Sequence, residues 1–306
     1  MNKVTENNYY EKSELSLGIN ISSYSVEILL FNITAGKELA YIKEELPDGY
    51  DPLPFTAGMI KDNINSDLLK KVSCIGAAFP GKIEANRQYT AQSDVFPEYY
   101  ERSFTKELML ILKLKKIRSY IFSYTECEKF YINHTMKISG TFLLLFLKQG
   151  ISGYLSEAND WHKSFNWNQI GHLNTGCGKL CLCGKKGCLQ CEAGDIQCAL
   201  KFKNKISFKH HYITDFKEAL KSKNSDAEKI LEESVRKILN TLNLQENFLT
   251  LPDTIMFSSD IPEESHKILN RTVNEIYNNR IKAILLPARS TVTGAALIPI
   301  NSGQKL

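Results

Sequence analysis

Apolar side chains fall along this chain in two rhythms. Residues 15–20 and 25–31 alternate or run apolar on either side of Ser22 and Ser23, which predicts a hairpin opening a sheet. A second apolar run, 72–79, stops at Pro80–Gly81, a turn signal. Apolar positions recur at helical spacing over 104–114, and 120–122 reads as a following strand. Two more strands, 141–147 and 151–155, flank a turn at Gly150. The second half changes period. From Ser225, read as an N-cap, Ala227, Ile230, Leu231, Val235, Ile238, Leu239 and Leu242 follow the 3.6-residue repeat. Pro262 stands where a first helical turn would begin, and Ile268, Leu269, Val273, Ile276 and Tyr277 continue that face. A strand at 282–286 and an apolar stretch at 294–298 follow. Strands and helices mixed throughout predict an α/β protein.

Composition narrows the picture. With 306 residues, 43% hydrophobic and 24% charged, the chain has room for two domains and a large core that needs no disulfides. The longest unbroken apolar run, 142–147, is far shorter than the roughly 20 residues that span a bilayer. The polar opening, 1–16, lacks the apolar core of a signal peptide. A cytoplasmic protein without a membrane partner is expected. Thirty-eight basic against 34 acidic residues leave +4, no argument for a nucleic-acid partner. The densest basic stretch holds Lys201, Lys203, Lys205, Lys209, His210 and His211; with no recognition element beside it, it reads as a solvated loop.

Cysteine changes the picture most. Of eight cysteines, six fall between Cys177 and Cys198, and clustering without a signal peptide points to a metal before disulfides. From Gly171 the chain reads GHLNTGCGKLCLCGKKGCLQC. His172, Cys181, Cys183 and Cys188 offer one imidazole and three thiolates, a closed tetrahedral zinc set with no open position, hence structural zinc. Gly184 and Gly187 suit the tight knuckle such a site needs. Cys177 and Cys191 could each replace one ligand. Cys74, Cys127 and Cys198 read as small core residues.

Around these residues the chain resembles the ROK family, whose name joins repressors, open reading frames and kinases. The family signature, Gly-Glu-Ile-Gly-His followed by Cys-x-Cys-Gly-x-x-Gly-Cys-Leu-Glu, stands here as Asn168-Gln169-Ile170-Gly171-His172 and then Cys181-Leu182-Cys183-Gly184-Lys185-Lys186-Gly187-Cys188-Leu189-Gln190. The family's zinc ligands map onto His172, Cys181, Cys183 and Cys188. Weaker echoes lie at residues 76–81, 150–153 and 293–296. The resemblance implies a two-lobed actin and hexokinase-like (ribonuclease H-like) ATPase fold with a cleft and a zinc knuckle in the larger lobe. It divides the chain into a smaller α/β lobe, 1–123 with 294–306, and a larger lobe, 124–293. A homodimer and a small-molecule sugar ligand are also implied, with Asp94, Gln169, His172 and Gln190 as candidate substrate contacts.

The departures from the family matter as much as the matches. Where its phosphate motif reads Asp-Ile-Gly-Gly-Thr, this chain has Asn20-Ile21-Ser22-Ser23-Tyr24. Tyr124 stands where the catalytic aspartate belongs, leaving Glu126 as the nearby carboxylate. Lys148-Gln149 replaces Gly-Thr, and Ser258-Ser259 replaces the adenosine-side glycine pair. Phosphoryl transfer relies on positioning and charge neutralisation, and no residue is left for either. ATP and Mg²⁺ are therefore not expected, and no catalytic residue is assigned. The expectation is a non-catalytic sugar-sensing or transcription-regulatory relative, with an active glucokinase-like sugar kinase as the alternative. The family's repressors carry an N-terminal helix-turn-helix domain; only about 14 residues precede the first strand here, so direct DNA binding is not expected unless a domain was trimmed away or a partner supplies it.

Overall fold

The computed structural model describes residues 14–93, 95–114, 117–136, 138, 140–148, 150–156, 167–207, 209, 211–242 and 251–301. The chain divides into two compact units, Met1–Lys137 with Arg289–Leu306, and Ile138–Ala288. The break thus falls after the helix that follows residue 123, because that helix packs on the last helix rather than on the second unit's sheet. The two units are of nearly equal length.

The first unit is built on a five-stranded sheet of order β3-β2-β1-β4-β7. Its strands are β1 (Leu15–Ile21), β2 (Ser25–Asn32), β3 (Lys37–Glu45), β4 (Val72–Ala78) and β7 (Arg118–Phe122), with a small β5 (Lys82–Ile83)–β6 (Thr90–Gln92) ribbon alongside. β1 pairs antiparallel with β2, as the hairpin pattern predicts, and parallel with β4. Every residue of β1 is buried, because both faces of the sheet are covered. On one face lie α1 (Pro52–Asn63) and α3 (Phe104–Ile111), whose side chains join Leu17, Ile19 and Tyr99 in one apolar core. Short α2 (Ser66–Lys70) leads into β4. Asp51 caps α1 by accepting from the Leu53 amide at 2.9 Å, and also accepts from the Tyr99 hydroxyl. The other face takes α4 (Tyr124–Tyr131) and the final helix α9 (Ser290–Asn301). Contact there is backbone to backbone: a β-carbon at Gly76 would stand 2.0 Å from the Ala295 carbonyl oxygen.

The second unit has a four-stranded sheet of order β11-β10-β8-β9. β10 (Thr254–Ser258) runs parallel to both β8 (Phe142–Phe146) and β11 (Lys282–Leu285), and β9 (Ser152–Ser156) returns antiparallel to β8. Helices α5 (Asp195–Lys203), α6 (His211–Lys221), α7 (Ser225–Leu242) and α8 (His266–Tyr277) supply the rest of its core. The periodic positions of α7 are buried as the spacing predicts, except Ile230, which is half-buried. Its cap is Asn224 rather than Ser225: the Asn224 side chain accepts from the Asp226 and Ala227 amides, both at 3.0 Å. Lys201 and Lys203 belong to the last turn of α5 rather than to a loop, and Lys203 pairs with Asp215 of α6 at 2.7 Å. Cys74, Cys127 and Cys198 are buried core residues, as expected. Among the described residues no helix is long and apolar enough to cross a membrane.

Candidate functional site

The knuckle in the second unit is knitted by main-chain bonds. A 3₁₀ turn, Trp167–His172, is pinned where the Gly171 amide donates to the Ile151 carbonyl at 2.9 Å. The chain then doubles back: Asn174 pairs with Cys188 and Leu180 with Lys186, and the Cys181 amide donates to Lys185 at 2.8 Å. Gly187 allows the return. Its φ of +84° is left-handed, and a β-carbon there would meet Asn174 Oδ1 at 2.4 Å.

This fold-back gathers His172, Cys181, Cys183 and Cys188, whose ligand atoms all lie within 4.8 Å of one another. Two thiolates bound to one tetrahedral zinc at about 2.3 Å stand roughly 3.8 Å apart. Cys183 Sγ and Cys188 Sγ are 3.7 Å apart, and His172 Nδ1 lies 3.8 Å from Cys181 Sγ, so the donor set fits zinc in spacing and kind. Burial tends to push the Cys181 thiol up, but hydrogen bonds led by the Cys183 backbone and the Gln190 side chain draw it down to about 6. Cys191 also touches the Cys181 thiol and remains half-buried beside the cluster.

The sequence's substrate candidates are placed unevenly. Asp94 lies outside the described residues, and of Gln169 only the backbone, in the 3₁₀ turn, is described. His172 faces the thiols through Nδ1. Gln190 faces them too, its Nε2 donating to Cys181 Sγ at 3.1 Å.

At the turn between β1 and β2, where the resemblance would set a phosphate motif, the backbone satisfies itself. The Ser22 hydroxyl oxygen accepts from the Ser25 amide at 2.8 Å and the Tyr24 amide at 3.4 Å, while the Ser22 amide donates to the Ser25 carbonyl at 2.8 Å. The side-chain oxygen of Ser22 thus takes amide donors that a phosphate oxygen would otherwise need. Asn20 donates to buried Glu27 at 3.2 Å, and Glu27 also pairs with Lys43. The Tyr124 hydroxyl donates to the Ile21 carbonyl, and burial pushes this phenol well above its usual value, so it cannot serve as a base near neutrality. Glu126 is engaged as well. It closes a capping box with Ser123, accepting from that residue's amide at 2.8 Å, and lies 3.5 Å from Arg87.

In the second unit, the residues that the resemblance would set beside a nucleotide, Lys148 and Ser259 among them, are engaged as well. Lys148, at the end of β8, is buried with its ammonium 5.7 Å from the Phe146 ring centre. The Ser259 hydroxyl donates to the buried Asp195 carboxylate at 2.7 Å, and the Asp260 amide reaches the same carboxylate at 2.6 Å. Burial raises the Asp195 carboxyl to about 6 despite these bonds and the charges of Lys217 and Lys148; burial alone raises Asp260 to about 7. The sequence pattern carried no hint of this network, since a lone aspartate after a glycine has no distinctive spacing.

No family model matches the sequence, nor does any curated protein. Solved structures do. A ROK family glucokinase from Streptomyces griseus, solved with glucose and AMPPNP, superposes with a TM-score of 0.70 at 13% identity, over 92% of this chain and 98% of that one. The chain has the ROK fold. A ROK family transcriptional regulator, a homolog of the E. coli MLC protein, matches at TM-score 0.66 and 17% identity over 94% of this chain and 78% of that one. A ROK family protein from Streptococcus pneumoniae in complex with sucrose gives 0.66 at 12% identity, over 95% and 100%. The hexokinase-like two-lobed class expected from the sequence is therefore the class observed, and kinases and a regulator share it.

Proposed function

We propose that this ROK-fold chain is a non-catalytic member of the ROK family, a sugar-sensing or regulatory protein with structural zinc that does not turn over ATP. The observation that carries the reading is the Ser22 hydroxyl seated on the amides of its own turn, beside a tyrosine in place of a base. A phosphate would have to displace those bonds, and the glycines that let a backbone approach phosphate closely are absent. Losing a general base alone typically costs roughly 100- to 10,000-fold in rate. Glu126, the remaining carboxylate, serves as a helix cap.

Zinc held by His172, Cys181, Cys183 and Cys188 supplies no reaction step here; it orients the His172 ring and fixes the knuckle. The proposed sugar contacts are Gln169, His172 and Asp94, with Gln190 as the further candidate. A glutamine keeps an acceptor oxygen for a hydroxyl while losing the family glutamate's charge. The known ligands of the neighbours, glucose and sucrose, define the first compounds to try.

Calorimetric titration of the zinc-loaded chain with hexoses, amino sugars, their N-acetyl forms and AMPPNP tests the reading. Sugar binding without nucleotide binding supports it. Sugar-dependent ADP release from ATP and Mg²⁺ near 1 per second or faster, abolished in Glu126→Gln, would instead make the protein a kinase.

A further inference from the structure

We infer that Gln190 is a positioning residue of the metal site, its side-chain amide donating to the Cys181 thiolate and so tightening metal binding. This rests on reading His172, Cys181, Cys183 and Cys188 as the metal ligands. Gln190 lies in the 3₁₀ turn Leu189–Cys191 directly after the last of those ligands, and the Cys191 amide closes that turn onto Cys188 at 2.9 Å. From there Nε2 reaches Cys181 Sγ at 3.1 Å. A metal-bound thiolate has no proton to give, so the end of the amide that faces it must be the NH₂.

The other end of the amide lies beside two glycines. A β-carbon at Gly171 would stand 2.8 Å from Gln190 Oε1, and one at Gly150 would stand 3.2 Å from it. Both neighbouring segments therefore present bare backbone where this side chain lies. The chemistry accounts for glutamine rather than glutamate. Zinc with three thiolates and a neutral imidazole keeps a net negative charge, which an N–H donor relieves and a carboxylate at the same distance would oppose. Outer contacts of this kind orient ligands and tune the ion, and removing them typically costs about 10- to 100-fold in metal affinity. The consequence for the sugar side is direct: the donor end of Gln190 is committed to sulfur.

The test is zinc affinity of the full chain, measured by competition with a chelator of known strength, for wild type, Gln190→Ala and Gln190→Glu. Cobalt(II) substitution supplies a spectroscopic readout of the thiolate–metal bonds, and circular dichroism checks folding. The expected order is wild type, then Ala, then Glu, with Glu weakened by about 10- to 100-fold and a shifted thiolate-to-cobalt charge-transfer band in both variants. A packing role predicts glutamate close to wild type and above alanine, since glutamate fills the same space, and that order overturns the inference. Equal affinities and unchanged cobalt spectra also overturn it. If Gln190→Glu fails to fold, the alanine variant decides alone: an undiminished affinity rejects the donor role. A wild type that takes up no zinc removes the metal reading itself, an outcome distinct from equal binding by all three.

Discussion

The Tyr124 hydroxyl, at the first position of α4, donates to the carbonyl of Ile21 at the end of β1, tying the start of the helix to the end of the strand. A side chain that would be a base in a kinase is here a hydrogen-bonded strut between two elements of one unit. Tyr124→Phe should cost about 1 kcal/mol of stability, the ordinary net value of one hydrogen bond. Chemical denaturation checks this. Tyr124→Asp should give no ADP release, because Ser22 still occupies the turn amides.

Removing metal should destabilise the second unit. Cys183→Ser, or a strong chelator applied to wild type, is expected to release zinc and lower stability by several kcal/mol, because the binding energy is also folding energy. Metal analysis together with thermal melting reads both effects.

Close backbone contact between α9 and α4 makes Gly294 intolerant. A β-carbon there would lie 2.0 Å from the Cys127 carbonyl oxygen, so Gly294→Ala forces the two helices apart. Overpacking of this kind costs about 1–3 kcal/mol, occasionally more. The midpoint of denaturant unfolding should fall accordingly, with no change in metal content.

The contribution of Asp195 and Asp260 to stability should decline as pH rises from about 4 to about 7. Asp195 and Asp260 have an ordinary carboxyl value of 3.8, and folding raises them to about 6 and about 7. At these two groups the native state therefore holds more protons than the unfolded state across this window, and their contribution falls through it. The contribution is full below the unfolded value and lost as pH passes the folded ones. Asp260→Asn should flatten the decline, because its carboxyl is raised by burial alone. Denaturation midpoints at pH 5 and pH 8, compared for the two proteins, measure it.

Much of this architecture was readable beforehand, and the reasons differ from element to element. β1, β2 and β8 announce themselves because strands buried on both faces are runs of apolar residues. α7 does so because one face meets the core over five turns. β3 escaped notice since it is an edge strand, Lys37–Glu45, with no fully buried residue and rich in lysine and glutamate. β10 is only five residues, Thr254–Ser258, and such a short apolar run does not by itself separate strand from helix, even with Pro252 and Asp253 before it. The metal cluster was legible because ligand spacing survives in sequence. The Ser22 turn and the Asp195–Ser259 link were not, because each depends on which donors are left unpaired once the backbone has closed.

The division of the chain has a temporal consequence. Residues 138–288 form one continuous unit, whereas the first needs α9, which covers β1 and β4. A ribosome releases residues in order, and domains generally fold as units during synthesis. The whole second unit is therefore translated while the sheet made first still waits with its α9 face bare. Until Ser290–Asn301 emerges, the backbone around Gly18 and Gly76 is open to whatever else in the cell offers an apolar helix. The sheet translated first is the last to be finished, and that interval is where a holding chaperone would have its hold.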